Sequence, residues 1–438
     1  MKTISIGLLG CGTVGTGVAR LLINNRDIIR ARVGANLHLK YVADLDDQTD
    51  RGIVFDDGVF VTDAATVTDD PNIDIIVEMI GGETFAKDII LRAMENGKHV
   101  VTANKALLAK QGNTLIHAAR ENNVDLAYEA SVGGCMPIIK TIRESLVGNR
   151  IRAMSGILNG TCNYILSKIT EEGIAFSDVL AEAQAKGYAE ADPTLDVGGF
   201  DTAHKLAIIN ALAYGMEINY EDIFIEGISR ITPMDIAFAE QFGYRIKLLA
   251  IGKLNGEAVE ARVHPTMIPF DNQLSKVSGT LNAITVSGDA VDEVMLTGRG
   301  AGMMPTASAV VADVADLARN IHFGGSRRIP ILSYQPDQVR RIPVMPIENL
   351  RSHYYIRFSA MDQPGVLSKI AGVLGNHNIS IKSVHQKGRQ VAGGVPIVMM
   401  THTALGADVK HALADITALE VVTDEPMLIR IEDENGED

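Results

Sequence analysis

Six residues near the amino terminus, Gly10-Cys11-Gly12-Thr13-Val14-Gly15, have the spacing G-x-G-x-x-G. Glycines so spaced do three jobs in a dinucleotide site. Gly10 permits a tight turn, Gly12 lets a pyrophosphate approach the backbone, and Gly15 lets the next helix pack on the preceding strand. The helix opening at Thr13 and Val14 offers unbonded N–H groups and a partial positive charge to phosphates. The same spacing by itself is also that of a plain structural turn. Choice between NAD and NADP falls at the end of the second strand, Val42-Ala43-Asp44-Leu45-Asp46. An acid there bonds a ribose 2′-hydroxyl, and a basic group accepts a 2′-phosphate. Asp44 or Asp46 could hold the ribose, and either could be an ordinary loop acid.

A second set of residues could move protons. Asp201 and Lys205 lie four apart in Asp201-Thr202-Ala203-His204-Lys205, on one face of a helix. On a surface this pair is worth only about 0.3–0.5 kcal/mol. The preceding Lys186–Asp196 loop carries Gly187, Pro193 and the acids Glu190, Asp192 and Asp196, a composition that also suits a capped turn. Lys98 to Lys105 runs off a strand end into a helix. Ligands of open parallel sheets bind beyond the carboxyl ends of strands, which sets Lys105 near the nicotinamide; a lone lysine at a helix start is also commonly a solvated surface charge. A lysine transfers protons when burial or a nearby cation lowers its pKa, and Lys105 and Lys205 could lower each other in this way.

The elements that must position these groups follow from hydrophobic patterning. Strand-like runs at Ile4–Leu9, Leu37–Ala43, Ile73–Ile80 and Lys98–Thr102 alternate with helical patterns at Val14–Asn24, Phe85–Asn96 and Asn104–Asn122. This alternation predicts a parallel α/β nucleotide domain over residues 1–130. Residues 131–320 combine helices (Ser177–Gly187, Asp201–Tyr214) with antiparallel strands (Arg245–Lys253, Ala258–His264), which predicts a mixed α+β second domain. The Gly298–Gly302 loop leads into a helical run, Thr306–Asn320. Residues 321–350, with Pro330, Pro336, Pro343 and Pro346, have the composition of a linker. From His353 the order strand, helix, strand, strand, helix, strand implies a ferredoxin-like module over 351–432. Glu432–Asp438 reads as a solvated, disordered acidic tail.

Composition narrows the class. The 438 residues carry a formal charge of −14, which offers no electrostatic footprint for nucleic acid or anionic lipid. Cys11, Cys135 and Cys162 are too few and too scattered for a disulfide framework or a zinc site, and each is expected as a small buried residue. The apolar start after Met1-Lys2-Thr3 could mimic a leader, but glycines and a turn interrupt it with no cleavage-like site following, and no apolar run of about 18 residues occurs, which points to a cytoplasmic protein.

With the glycine motif and Val101–Lys105, the segments Lys186–Lys205, Gly156–Leu166 (GILNGTCNYIL) and Gly298–Thr306 (GRGAGMMPT) resemble, in order and spacing, the homoserine dehydrogenases over residues 1–320. The resemblance implies reversible NAD(P)-dependent reduction of L-aspartate 4-semialdehyde to L-homoserine, on the route to threonine, methionine and isoleucine. It implies Lys205 as proton donor, with Lys105 at the reacting end and the cofactor. Glu190 is then the carboxylate for the substrate ammonium, Asp201 the group that positions Lys205 and the hydroxyl, and Asp196 an aid to substrate binding. Gly187 and Gly302 fall beside the cofactor, and the 298–320 segment packs back on the nucleotide domain. Many relatives have arginine where Ala43 stands, a departure that leans toward NAD or dual use. Glu129-Ala130-Ser131-Val132-Gly133-Gly134-Cys135-Met136-Pro137 resembles a monovalent-cation site of the family. There the Glu129 carboxylate and the carbonyls of Val132, Gly134 and Met136 would surround a structural sodium ion; a Gly-rich interdomain connection is the competing reading.

The turn Asp362-Gln363-Pro364-Gly365-Val366-Leu367 within the C-terminal module resembles ACT domains. That resemblance implies sheet pairing in a homodimer or homotetramer, and an amino-acid effector, threonine, acting in feedback; a module that only dimerises remains open. No aspartokinase fusion is expected. Two other functions stay open: a non-catalytic amino-acid sensor on the same scaffold, and a dehydrogenase for another amino acid such as aspartate.

Overall fold

A computed structural model describes residues 2–386 and 394–433. The first apolar run forms β1 (Thr3–Leu9), at the centre of a parallel sheet with β2 (Asn36–Ala43), β3 (Phe60–Val61), β4 (Ile75–Glu78), β5 (His99–Thr102) and β6 (Leu126–Ala127). The order β3-β2-β1-β4-β5-β6 reverses between β1 and β4, the crevice where Rossmann-type sheets take a dinucleotide. The helices Thr13–Asn24, Thr84–Glu95 and Lys105–Glu121 connect the strands. A distant helix, Met303–Phe323, returns to this domain and buries Ala307, Val310, Val314 and Leu317 with Ile4, Ile6, Leu8 and Val18. Gly17 lets it come close, since a Cβ there would stand 2.9 Å from the Met303 carbonyl oxygen.

The remaining strands are β7 (Ile151–Ile157), β8 (Phe224–Ile225), β9 (Tyr244–Asn255), β10 (Ala258–Pro269), β11 (Leu281–Gly288), β12 (Asp292–Arg299), β13 (Arg351–Ala360), β14 (Ile381–Gln386), β15 (Val395–Thr401), β16 (Ala404–Leu405) and β17 (Met427–Ile431). The helix Phe200–Tyr214 lies between this layer and the Lys105–Glu121 helix, and every residue after Phe200 is buried. Its charged members therefore sit in the interior, where they need partners. The C-terminal module has the expected order: β13, the helix Val366–Asn376, β14, β15, the helix Gly406–Thr417, and β17.

Three sequence expectations change. The C-terminal sheet is not separate: β17 pairs in parallel with β10 (Thr266↔Arg430, Met267↔Ile431), so the strands run β12-β11-β7-β9-β10-β17-β13-β15-β14 as one sheet. Glu432 does not begin a solvated tail. Arg262 and Lys253 hold its carboxylate at 2.5 and 2.6 Å, and although burial pushes its pKa up, these two cations bring it down to about 2. Residues 434–438 lie outside the described residues. The proline-rich stretch is a strap rather than a free linker, bridging Met216 to Arg340 and Val259 to Val344. Its prolines favour extended backbone, and Ile331, Val339, Ile342 and Val344 pack on the core. Among the described residues no helix is long and apolar enough to cross a membrane.

Asp235 ties the two halves of the merged sheet together. It is fully buried, caps the helix Pro233–Gln241 with Thr232, and accepts bonds from Tyr355 (3.0 Å) and from Arg357 (2.6 and 3.1 Å). Asp235→Ala leaves a guanidinium without its partner and is expected to destabilise the chain by about 3–5 kcal/mol. Equilibrium urea unfolding measures this loss; a change under about 1 kcal/mol would contradict it.

Candidate active site

Gly199, at φ +86°, turns the chain into the Phe200–Tyr214 helix, and one turn in stand Asp201 and Lys205, both more than nine-tenths buried. Lys205 Nζ donates to Asp201 Oδ2 (2.7 Å) and to the Leu158 carbonyl (2.6 Å). The other carboxylate oxygen, Oδ1, lies 3.2 Å from Lys105 Nζ. The two ammonium groups thus do not face one another; Asp201 stands between them. Burial acts to raise the Asp201 pKa, but Lys205 and then Lys105, with hydrogen bonds from Lys205 and Asn159, hold it well below the usual carboxylate range.

Asn159 is a member that the sequence reading did not single out. Its amide donates to Asp201 Oδ2 (2.9 Å) and Asp196 Oδ1 (2.7 Å), and its carbonyl oxygen caps the helix Gly160–Glu172 through the Cys162 N–H (2.8 Å). The capping half of this role was readable, since Asn before a helical run is a start signal. The bonds to acids 37 and 42 residues onward were not. Asp196 joins the cluster, and burial pushes its pKa up against the bond from Asn159. Glu190 does not join it: the side chain is exposed on the 187–193 loop with no ion pair among the described residues. Gly187 (φ +72°) turns the chain into that loop.

Lys105 sits half-exposed where β5 ends and its helix begins. The turn is organised by residues to which the sequence analysis gave no role. Asn104 caps the helix at Leu107 N–H (3.1 Å) and donates to the Gly82 carbonyl (2.6 Å). Buried Glu78 accepts from Thr102 Oγ1 (2.6 Å) and from the N–H groups of Ile80 and Gly81 (2.8 and 2.9 Å). A carboxylate ending an apolar strand before Gly81-Gly82 was the available signal.

The glycine loop fits a dinucleotide. A Cβ on Gly10 would meet the Met79 carbonyl oxygen at 2.6 Å, and one on Gly15 the Gly10 oxygen at 2.0 Å. Nothing lies within 4 Å of a Cβ on Gly12, and no side chain caps the helix starting at Thr13 and Val14. Gly12 is therefore glycine for what approaches from outside the chain. Asp44 is partly engaged: Oδ2 accepts the Cys11 N–H (2.5 Å), and Oδ1 lies 3.7 Å from Arg51 Nη2. Arg51 also donates to the Cys11 carbonyl (2.8 Å), placing a cation at the ribose corner that no motif announced. Asp46 is a loop acid, accepting the N–H groups of Gln48 and Thr49. Gly302 (φ +120°) starts the helix that packs at Gly17.

At the expected cation site, Glu129 is buried and its oxygens accept the N–H groups of Ile139 (2.8 Å) and Lys140 (2.9 Å), while the Met136 carbonyl accepts from Ile138 (2.8 Å). Among the described residues the carbonyls of Val132 and Gly134 accept no backbone hydrogen bond. These oxygen donors suit a hard monovalent ion. Cys135, expected buried, is exposed, because the turn at Gly133 and Gly134 (φ +70° and +60°) swings it outward. Cys11 and Cys162 are buried.

Family models match residues 10–129 (homoserine dehydrogenase, NAD binding domain), 137–315 (homoserine dehydrogenase) and 354–421 (ACT domain). The chain is 45% identical to a homoserine dehydrogenase of Neisseria gonorrhoeae over 432 residues, covering 99% of each. It is similar to the crystal structure of a homoserine dehydrogenase from Thiobacillus denitrificans, with TM-score 0.93, 45% identity and 99% of each chain covered. A hyperthermophilic archaeal homoserine dehydrogenase in complex with NADPH matches with TM-score 0.62 and 26% identity, over 72% of this chain and 97% of that one.

Two outcomes test this geometry. Gly12→Ala is expected to keep the melting temperature and raise KM for the nicotinamide cofactor about tenfold or more, whereas Gly15→Ala lowers the melting temperature itself. His204, next to Lys205, is buried with Nε2 unbonded, and burial lowers its pKa to about 4. Its folded value lies below the unfolded one, so it leaves stability unaffected above about pH 6.5 and removes up to about 3 kcal/mol as pH falls toward 4. Urea unfolding at pH 7 and 4.5 is expected to show a smaller difference in His204→Phe than in the native chain.

Proposed function

The chain belongs to the homoserine dehydrogenase family, and from that premise we propose that its Lys105–Asp201–Lys205 cluster carries the proton chemistry of interconverting L-homoserine and L-aspartate 4-semialdehyde. It is an NAD(P)-dependent oxidoreductase with a Rossmann-type nucleotide domain and an ACT domain. The observation that carries the reading is the single carboxylate between two ammonium groups at the carboxyl end of the parallel sheet.

The nicotinamide ring, when bound, supplies or accepts the hydride. Asp201 and the Leu158 carbonyl take two of the three Lys205 protons, which leaves the third for the substrate oxygen. As the aldehyde carbon gains hydride, the carbonyl π pair moves onto oxygen and Lys205 protonates it. In the oxidative direction neutral Lys205 removes the hydroxyl proton. Lys105 has two protons beyond its contact with Asp201 for the reacting oxygen and the cofactor. Asn159 holds Asp201 and Asp196 in register, so substrate meets preformed acceptors. Glu190, exposed on its loop, is suited to take the substrate ammonium, and Asp196 to assist substrate binding.

Asp44 with Arg51 supports use of both NAD and NADP, because an acid serves the 2′-hydroxyl and an arginine the 2′-phosphate. Glu129, Val132, Gly134 and Met136 would hold sodium structurally. The ACT domain supports threonine feedback in a cytoplasmic homodimer or homotetramer that serves threonine, methionine and isoleucine synthesis.

Lys205→Ala is expected to lower kcat at least about a hundredfold with aspartate 4-semialdehyde and either reduced cofactor. Turnover that survives in the variant would move the proton role to Lys105 or to water. No turnover by the native enzyme would leave an amino-acid sensor as the better reading.

A further inference from the structure

Lys247, on β9, lies outside the Lys105–Asp201–Lys205 cluster, yet it is 4% exposed and has no carboxylate at ion-pair distance among the described residues. Its Nζ donates to the Val277 carbonyl (2.7 Å) and to Asn163 Oδ1 (3.1 Å), which leaves one proton uncommitted. An ammonium held in the interior without a counter-ion is strongly disfavoured unless something else compensates it. Burial, and then the charge of Arg245, lower its pKa to about 8, so it is still mostly cationic near neutrality.

Beside it lies a cavity of about 250 Å³. Arg245 and Lys276 line it together with Lys247, and Ser167 and Ser278 add hydroxyls, whereas the Ser275 hydroxyl donates to the Phe270 carbonyl (3.0 Å). Ser167 Oγ already accepts the Gly279 N–H (3.2 Å), so its own hydrogen can point inward. Glu171 is the one carboxylate among the lining residues, against three cations. Arg245 is steadied by its ion pair with Glu240 and lies 5.2 Å over the Phe270 ring.

We propose that this cavity is a binding site for a tetrahedral oxyanion, either free phosphate or a phosphomonoester, with Lys247 at its base and Lys276 at its rim. Excess positive charge, several hydrogen-bond donors and partial enclosure are the chemistry that recognises such an ion. The site is separate from the glycine loop and the lysine–aspartate cluster. It communicates with the latter through one helix, since Asn163, held by Lys247, is one turn from Asn159.

The test uses the full chain saturated with NADH, so that the pyrophosphate cradle is filled. Inorganic phosphate and glycerol 3-phosphate are titrated at constant ionic strength set with sodium chloride, and melting temperature and calorimetric heat are followed. Saturable stabilisation beyond that of chloride is expected. It should weaken about fivefold or more in Lys276→Ala and vanish in Lys247→Met. Lys276 is exposed, so its variant keeps the test decisive should Lys247→Met fail to fold. Tighter binding of glycerol 3-phosphate identifies a phosphomonoester, and the reverse identifies the free ion. The absence of a saturable effect from both, or affinity unchanged in Lys276→Ala, overturns the proposal.

Discussion

A carboxylate can stay ionised in a protein interior only if its charge is answered on the spot. At Asp201 it is answered twice, by Lys205 from the same helix and by Lys105 from the nucleotide domain, with Asn159 completing the set. Removal of one ammonium would leave the rest of the cluster paying desolvation without its match. This constraint explains why the Phe200–Tyr214 helix is buried on all sides although it carries Asp201, His204 and Lys205. It also joins the domains: the nucleotide domain supplies Lys105 and the second domain Asp201, so the geometry of the proposed catalytic cluster and domain apposition are one interaction.

The surrounding structure serves to hold that contact still. Glu78, Thr102 and Asn104 fix the turn from which Lys105 projects. The Leu158 carbonyl, which takes a Lys205 proton, also accepts from Asn282 (2.9 Å). At Gly300 a Cβ would stand 2.1 Å from the Asn282 amide nitrogen, so the glycine loop before the returning helix closes directly on this support. That helix then packs at Gly17, a few residues beyond the dinucleotide motif. The proposed catalytic cluster and the cofactor cradle are thereby linked through the buried Asn282 side chain and the packed backbone around it.

The C-terminal module is attached as firmly. β17 extends the catalytic sheet, and three sets of ion pairs, at Asp235, Glu226 and Glu432, cross the seam. Arg430 on β17 meets Glu226 (2.9 Å), and the chain just after Glu226 bonds back to the Asp196 turn through Ile228 N–H to the Val197 carbonyl (2.9 Å). A strain in the ACT sheet therefore has a short covalent and hydrogen-bonded route to the Asp196 turn of the candidate site.

Local pattern alone determined much of this protein. The period of apolar residues set the strands and helices of the nucleotide domain, and glycine spacing set the cradle, because both are properties of adjacent residues. The order strand, helix, strand, strand, helix, strand after His353 likewise specified the module. What only tertiary structure decided were relations between distant charges. Composition made Glu432 a solvated acid, but Arg262 and Lys253 come from another part of the sheet and pair with it. Proline content made 321–350 a linker, but scattered apolar residues within it fasten it to the core. Asn159 reached two acids, and Arg51 reached Asp44, across gaps that no local signal encodes. The physical reason is the same throughout: period and spacing act within a few residues, whereas the environment of a charge is set by whatever the fold brings against it.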